Sequence, residues 1–288
     1  MKKLLYHFDT DAIPSVFDSV VAYDGGADHV TQLGNITPQN CYPLVEGAIY
    51  TRAPKNKKNT ALFIGGSDLA AGQALFAAVQ NIFFQNFRVS VMLDSNGCNT
   101  TAAAGVALIC NAIDVRGKTA VVLAGTGPVG QRAAVMLAMN GANVRLTSRK
   151  LERSQQSCQL MQEQFAVDLE PMVAADDASI DEALADAHIV FGAGKTGIQL
   201  LTAAHWQVHP SLEIMADVNT APPLGFEGID MMDKDTERYG KRIFGGIGIG
   251  ALKLQLHRAC IARLFESNDL VLDAKEVLAT AKTLLCRG

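Results

Sequence analysis

Ala120-Val121-Val122-Leu123-Ala124-Gly125-Thr126-Gly127-Pro128-Val129-Gly130, followed by Arg132–Met139 and Asn140-Gly141, decides how this chain is read. The first five residues form a continuous apolar run, as a strand buried on both faces requires. The last part is a good helix former that stops at an Asn-Gly pair. Between them stands G-x-G-x-x-G. On its own that string is weak evidence, because 25 glycines generate short coincidences. Placed between a strand and a helix it predicts a tight turn, close backbone approach to a pyrophosphate, and close helix–strand packing. The phosphates would sit on the helix N-terminus. Gly125, Thr126, Gly127, Pro128, Val129 and Gly130 are therefore candidate cofactor residues, with an unliganded βα turn as the plainer reading.

The end of the next strand selects the dinucleotide. An NAD site places Asp or Glu there, roughly 20 residues on, to hold the ribose hydroxyls. From Gly130 to Leu151 this chain has neither; it has Thr147-Ser148-Arg149-Lys150 instead. A carboxylate would repel a 2′-phosphate, whereas Ser148, Arg149 and Lys150 all donate hydrogen bonds to one. The sequence thus predicts NADP. Two later turns fall at strand ends: Ala193 and Gly194 after Ile189–Phe191, and Asp217-Val218-Asn219 after Glu213–Ala216. Ligands of open α/β sheets lie outside such ends, so these residues are candidates for the nicotinamide ribose. Asp217 fits a turn residue equally well.

Working outward, apolar strands alternate with amphipathic helices along the whole chain, which predicts an α/β fold with parallel sheets. Strands are expected at Leu4–Phe8, Ala61–Ile64, Val89–Leu93, Ala120–Ala124, Asn143–Thr147, Ile189–Phe191, Glu213–Ala216 and Arg242–Phe244. Helices are expected near Pro14–Ala22, Ala70–Phe84, Thr100–Ala112 and Leu252–Phe265. Asp273-Ala274-Lys275-Glu276 reads as a capping box opening a last helix. Thr31–Lys58 looks irregular, and Lys55, Lys57 and Lys58 read as a solvated loop. At about 150 residues per domain, 288 residues make two domains. The turn Val115-Arg116-Gly117-Lys118 places their boundary near residue 114. That gives an N-terminal α/β domain (1–113) and a Rossmann-type dinucleotide-binding domain (114–265), with residues 266–288 returning to the first.

Composition excludes several alternatives. Charged residues are 19%, below the ~25% of an average soluble protein, and the net charge is −4, so no sequence-wide positive field exists to hold nucleic acid. No apolar stretch reaches the ~18 residues of a membrane span, and the N-terminal apolar run stops too early for a signal peptide. Six cysteines never occur as C-x-x-C, so neither a metal site nor a disulfide framework is expected. Reduced thiols in a cytoplasmic protein follow.

The first domain carries small polar residues at strand ends: Phe8-Asp9-Thr10-Asp11 with Phe17 nearby, Gly65-Gly66-Ser67-Asp68, and Asp94-Ser95-Asn96-Gly97-Cys98-Asn99-Thr100-Thr101. Some of these are helix caps, but eight in a row exceeds what a cap needs, and a hydrogen-bonding pocket is expected. Lys253 follows the glycine-rich run Gly245–Gly250, which reads as a flexible, close-approach segment. Spacing alone favours a solvent-facing lysine there.

Taken together, Asp94-Ser95-Asn96-Gly97-x-Asn99-Thr100-Thr101-Ala102-Ala103-Ala104-Gly105-Val106-Ala107, the Gly125–Gly130 fingerprint, and Gly246-Ile247-Gly248-Ile249-Gly250-x-Leu252-Lys253-Leu254 resemble the NADP-dependent methylene-tetrahydromethanopterin/methylene-tetrahydrofolate dehydrogenases of methylotrophic bacteria. Phe8–Asp11 and Tyr23-Asp24-Gly25-Gly26-Ala27-Asp28-His29 fit as well. The resemblance implies a cytoplasmic homo-oligomer, a trimer, with a pterin cleft between two domains. The enzyme would pass hydride from the methylene bridge of a reduced pterin one-carbon carrier to NADP. It also implies that Lys253 acts at the reacting centre and that Phe17 stacks on the carrier. Asp94 and Asn96, with Thr100 and Thr101 beside them, are candidates for the pterin's amide edge. The related bifunctional dehydrogenase/cyclohydrolases use a Tyr and a Lys four residues apart; here Tyr50 precedes Lys55 by five, so that activity is not carried over. A methenyl-pterin cyclohydrolase on this scaffold and a non-catalytic NADP-sensing module are the competing readings.

Overall fold

The computed structural model describes residues Met1–Cys286. The chain divides into two compact units: Met1–Thr100 with Leu254–Thr280, and Thr101–Lys253 with the residues from Ala281. All three boundaries fall inside helices. The sequence reading placed the first one after the same helix, near residue 114.

In the first unit, β1 (Leu4–Asp9), α1 (Val16–Asp24), β2 (His29–Leu33), α2 (Tyr42–Tyr50), β3 (Thr60–Gly65), α3 (Leu69–Ile82) and β4 (Ser90–Leu93) alternate, and α4 (Cys98–Ala112) leaves it. With β12 (Val271–Leu272) the strands form a five-stranded parallel sheet in the order β12-β4-β3-β1-β2. β3 and β4 are buried along their whole length, which is why they read as apolar runs. β2 runs into the stretch read as irregular, and α2 lies within it. β2 is an edge strand, mostly half-exposed, and so lacks an apolar signal. α2 begins with Pro43 in its first turn and buries only Val45, Ala48 and Ile49. Lys57 also corrects the reading: it is 1% exposed, donates to the Asn86 carbonyl at 2.9 Å, and lies 3.8 Å from the Phe87 ring centre.

The second unit holds β5 (Thr119–Leu123), α5 (Pro128–Met139), β6 (Asn143–Ser148), α6 (Leu151–Phe165), β7 (Glu170–Val173), α7 (Asp177–Leu184), β8 (Ile189–Gly192), α8 (Ala203–Trp206), β9 (Ile214–Asp217), β10 (Lys234–Arg238) and β11 (Lys241–Phe244). Its sheet runs β10-β11-β9-β8-β5-β6-β7, parallel except for β10. Counted from β5, the parallel strands have the 3-2-1-4-5-6 order of a dinucleotide-binding sheet, with the topological switch between β5 and β8. One face packs Val121, Val190, Met215 and Ile243 around Trp206 and Phe226. β7 and β10, both at sheet edges, the first half-buried and the second mostly exposed, were not legible as strands.

α9 (Gly246–Arg263) and α10 (Ala274–Cys286) complete the chain. Gly246–Gly250 is the start of α9 and not a flexible segment, which corrects one expectation. Close approach is real, however. A Cβ at Gly246 would lie 2.4 Å from the Asn219 carbonyl oxygen, and one at Gly248 would lie 2.1 Å from that of Asp233. At α10 the Glu276 carboxylate accepts from the Asp273 amide at 3.3 Å, one half of the expected capping box.

The junction from β4 to α4 rests on Asp94, which is 1% exposed. Its Oδ1 accepts from the amides of Asn99 and Thr100 at 2.9 and 3.0 Å, and its Oδ2 accepts from the Thr100 hydroxyl at 2.7 Å. Asp94→Ala would leave two buried amides and a hydroxyl without that acceptor, and is expected to cost about 2–4 kcal/mol in urea unfolding. A loss below about 0.5 kcal/mol would contradict the capping role.

Candidate functional site

The fingerprint forms the turn that its glycines allow. Gly125 and Gly130 are needed for packing: a Cβ on Gly130 would lie 2.7 Å from the Gly125 Cα, and one on Gly125 would lie 2.8 Å from Leu146 Cγ. Gly127 is different. Its backbone is extended (φ −77°, ψ 168°), and a Cβ there would meet only the Ala124 carbonyl oxygen at 3.7 Å. Nothing in the chain requires glycine at 127; its missing side chain leaves room beside the helix start. Gly127 is also the residue preceding α5, with Pro128 in the first turn, and no side chain caps the helix amides. That arrangement leaves the N-terminal donors for an anion.

A cavity of about 520 Å³ opens at this turn, at the carboxyl ends of β5, β6 and β8. Thr126 and Gly127 line it from the fingerprint, Ser148 and Arg149 from the end of β6, and Ala193 and Gly194 from the end of β8. Six candidate cofactor residues are thus brought together. Arg153 and Lys195 also line it, and Ala174, Ile180 and Leu200 add an apolar wall. The lining holds three cationic side chains and no acid. Arg149 and Arg153 are exposed and enter no ion pair among the described residues. These features fit a dinucleotide with a 2′-phosphate: an anion seat at α5, basic side chains at the end of β6, and a flat apolar surface beyond them.

Arg153 and Lys195 were not picked out in the sequence. Arg153 stands four residues after Arg149, one turn into α6, and that spacing was the available signal. Lys195 lies in the glycine-rich turn after β8.

Other candidates fall elsewhere. Gly125, Pro128, Val129 and Gly130 shape the turn without lining the cavity, and Lys150 precedes α6, exposed and outside the lining. Asp217 is fully buried; its oxygens accept from the amides of Asn219 at 3.2 Å and Gly225 at 2.7 Å. Asn219, 3% exposed, accepts from the Ala221 amide and donates to the Pro223 carbonyl, both at 3.2 Å. Both side chains are spent on the 217–225 loop, so of the two roles open to Asp217 the geometry gives the turn. Burial, only partly offset by these amides, pushes the Asp217 carboxyl up to about 6.

In the first unit, Asp94 and Thr100 are buried at the start of α4, where the Thr100 hydroxyl donates to Asp94 Oδ2. Asn96 is exposed, in a left-handed conformation (φ 55°, ψ 25°). Phe17 is 48% exposed on the first turn of α1. Thr101 is half-buried on α4, and Lys253 is half-buried about two turns into α9. The six cysteines are free thiols, and burial pushes Cys158 to about 11 and Cys260 to about 12. No helix among the described residues is long and apolar enough to cross a membrane.

Comparison with known proteins agrees with this division. A model for the N-terminal domain of methylene-tetrahydromethanopterin dehydrogenase matches residues 16–96, and an NAD(P)-binding model matches residues 111–225. A Methylorubrum extorquens protein described as bifunctional protein MdtA is 57% identical over 285 residues, covering 98% of this chain and 99% of the relative. The NAD(P)-dependent methylenetetrahydromethanopterin dehydrogenase of the same organism is 30% identical, covering 93% of both chains. Among solved structures, shikimate 5-dehydrogenase of Listeria monocytogenes (TM-score 0.54, 99% of this chain and 96% of the other) and 5-ketofructose reductase of Gluconobacter (TM-score 0.53, 99% of each) share the fold at 14% identity.

Two outcomes check this site. Gly130→Ala is expected to destabilise the protein by about 2 kcal/mol or more through the clash with Gly125. Gly127→Ala is expected to leave the melting temperature nearly unchanged while weakening NADP binding about tenfold in calorimetric titration. For Asp217 the folded carboxyl binds its proton more tightly than the unfolded one, so stability falls as pH rises from about 4 to 6. The melting temperature of Asp217→Asn relative to wild type should therefore rise by several degrees between pH 4 and 7. A constant difference would refute the raised carboxyl.

Proposed function

The chain belongs to the methylene-tetrahydromethanopterin dehydrogenase family, and on that premise we propose how its residues divide the reaction. It is an NADP-dependent oxidoreductase that removes hydride from the methylene carbon of a reduced pterin one-carbon carrier, leaving the methenyl form. The observation that carries the cofactor side is the acid-free, cation-lined cavity at the β5/β8 switch point. Bound there, NADP supplies the hydride acceptor. Ser148 and Arg149, with Arg153 beside them, would hold its 2′-phosphate, the α5 amides would hold the pyrophosphate, and Ala174 and Ile180 would offer apolar surface to the adenine.

The carrier side follows from the chemistry of the substrate. As hydride leaves, positive charge spreads over the two nitrogens flanking the methylene carbon, so the substrate provides its own driving group. No strong acid–base pair is needed; the protein must align the donor carbon and shape the field around a forming cation. Phe17 stacks on the pterin ring and Asn96 meets its amide edge, with Thr101 as a further contact. Lys253 acts at the reacting carbon. A charged ammonium would oppose the product cation, so Lys253 works as a neutral or hydrogen-bonding group. The carrier is tetrahydromethanopterin or tetrahydrofolate. We further place the enzyme in the cytoplasm as a homotrimer, which sedimentation equilibrium tests directly.

The decisive assay mixes pure protein, NADP and either methylene carrier. NADPH absorbance is expected, and no turnover with both carriers would overturn the reading. Arg149→Glu should raise the KM for NADP by about 10–100-fold while that for NAD changes little; equal effects would remove the 2′-phosphate role. Lys253→Ala should lower kcat by about 100-fold with the KM for NADP nearly unchanged; unaltered turnover would remove Lys253 from the mechanism.

A further inference from the structure

We propose that His7, buried at the end of β1, is the positioning residue that fixes Phe17 as a stacking platform, an inference that rests on the assignment of Phe17 to the pterin ring. Phe17 stands two residues after Ser15, which caps α1 by accepting from the Asp18 amide at 3.2 Å. Both backbone polar groups of Ser15 are gripped. Its amide donates to Asp9 Oδ2 at 3.1 Å, and its carbonyl accepts from Gln32 Nε2 at 2.8 Å. The same two side chains flank the His7 ring: Gln32 Nε2 lies 3.2 Å from Nδ1, and Asp9 Oδ2 lies 3.2 Å from Nε2. The Gln32 side-chain nitrogen can only donate, so Nδ1 accepts from it, while Nε2 lies at ion-pair distance from Asp9 with no hydrogen bond of its own. His7 thus joins the two groups that hold the α1 cap.

Asp9 suits this task as an ion. Burial alone would raise its carboxyl, but the His7 ring and the amides of Asp11 and Ser15 outweigh that and hold it below the usual range. The room for the imidazole is written into β3: a Cβ at Gly65 would lie 2.4 Å from His7 Nε2.

A second route reaches the ring of Phe17. His7 meets Phe63 edge-on with centroids 5.0 Å apart; Phe63 stacks on His257 at 5.4 Å; His257 lies 6.3 Å from Phe17. The backbone clamp runs from His7 to Ser15, two residues before Phe17, and the aromatic ladder runs from His7 to the Phe17 ring. An imidazole serves here because it puts an acceptor against Gln32, a second ring nitrogen beside Asp9 and an aromatic edge against Phe63. A core histidine with a purely structural role would change stability without singling out one substrate.

The test is a double-mutant cycle on steady-state NADPH formation, using methylene-tetrahydromethanopterin and methylene-tetrahydrofolate as substrates. His7→Gln and Gln32→Leu are each expected to raise the pterin KM about fivefold or more, with kcat and the KM for NADP within about twofold. In a Phe17→Ala background the same substitutions should add less than about twofold. Gln32 is half-buried on an edge strand, so Gln32→Leu carries the test if a circular-dichroism melt shows His7→Gln unfolded. An unchanged pterin KM, or effects that multiply in full without Phe17, would overturn the proposal. No turnover by the wild type with either carrier would instead overturn the assignment of the reaction, and the His7 proposal with it.

Discussion

Gly130 sits so close to the Gly125 backbone that a single methyl group would overlap it, and the second unit is organised around that approach. It seats α5 against the β5 turn, so that the first amides of the helix face the opening between β5 and β8. Any larger residue would push the helix away from the strand end. The anion seat, the position of Gly127 and the reach of the β6 end toward the same opening all depend on it.

That constraint explains why so much of the cavity lining was legible. A buried parallel strand, a glycine turn and a helix leave a signature in residue type, because Gly125 and Gly130 answer steric demands. The absence of an acid after β6 was equally readable, since charge type decides whether a ribose hydroxyl or a phosphate is held. Arg153 and Lys195 escaped because an exposed basic residue on a helix or loop looks the same whether or not it faces a cavity. Asp217 and Asp94 show the limit of such reading. Small polar residues at strand ends look like ligands in sequence, yet here they satisfy buried amides, a demand set by backbone geometry that sequence does not display.

The fold was read with the same asymmetry. Fully buried strands such as β3 and β4 announced themselves, whereas β2, β7 and β10, at sheet edges, did not. Lys57 looked like part of a solvated basic cluster, and only tertiary contacts with Asn86 and Phe87 show why it is buried. Gly246–Gly250 looked flexible, and it is instead the tightly packed start of a helix, because glycine serves close approach as readily as mobility. His7 belongs with these cases. Gln32 and Phe63 are brought to it by β1–β2 and β1–β3 pairing, Asp9 lies two residues on along β1, and no local motif marks it.

The account stands or falls on where the dinucleotide lies. A crystal structure of the protein with NADP measures this directly. The pyrophosphate is predicted on the amides of Val129 and Gly130, and the 2′-phosphate within hydrogen-bond distance of Ser148 and Arg149, with Arg153 beside it. A 2′-phosphate turned to solvent away from the end of β6, or a dinucleotide bound outside the β5/β8 opening, would contradict it.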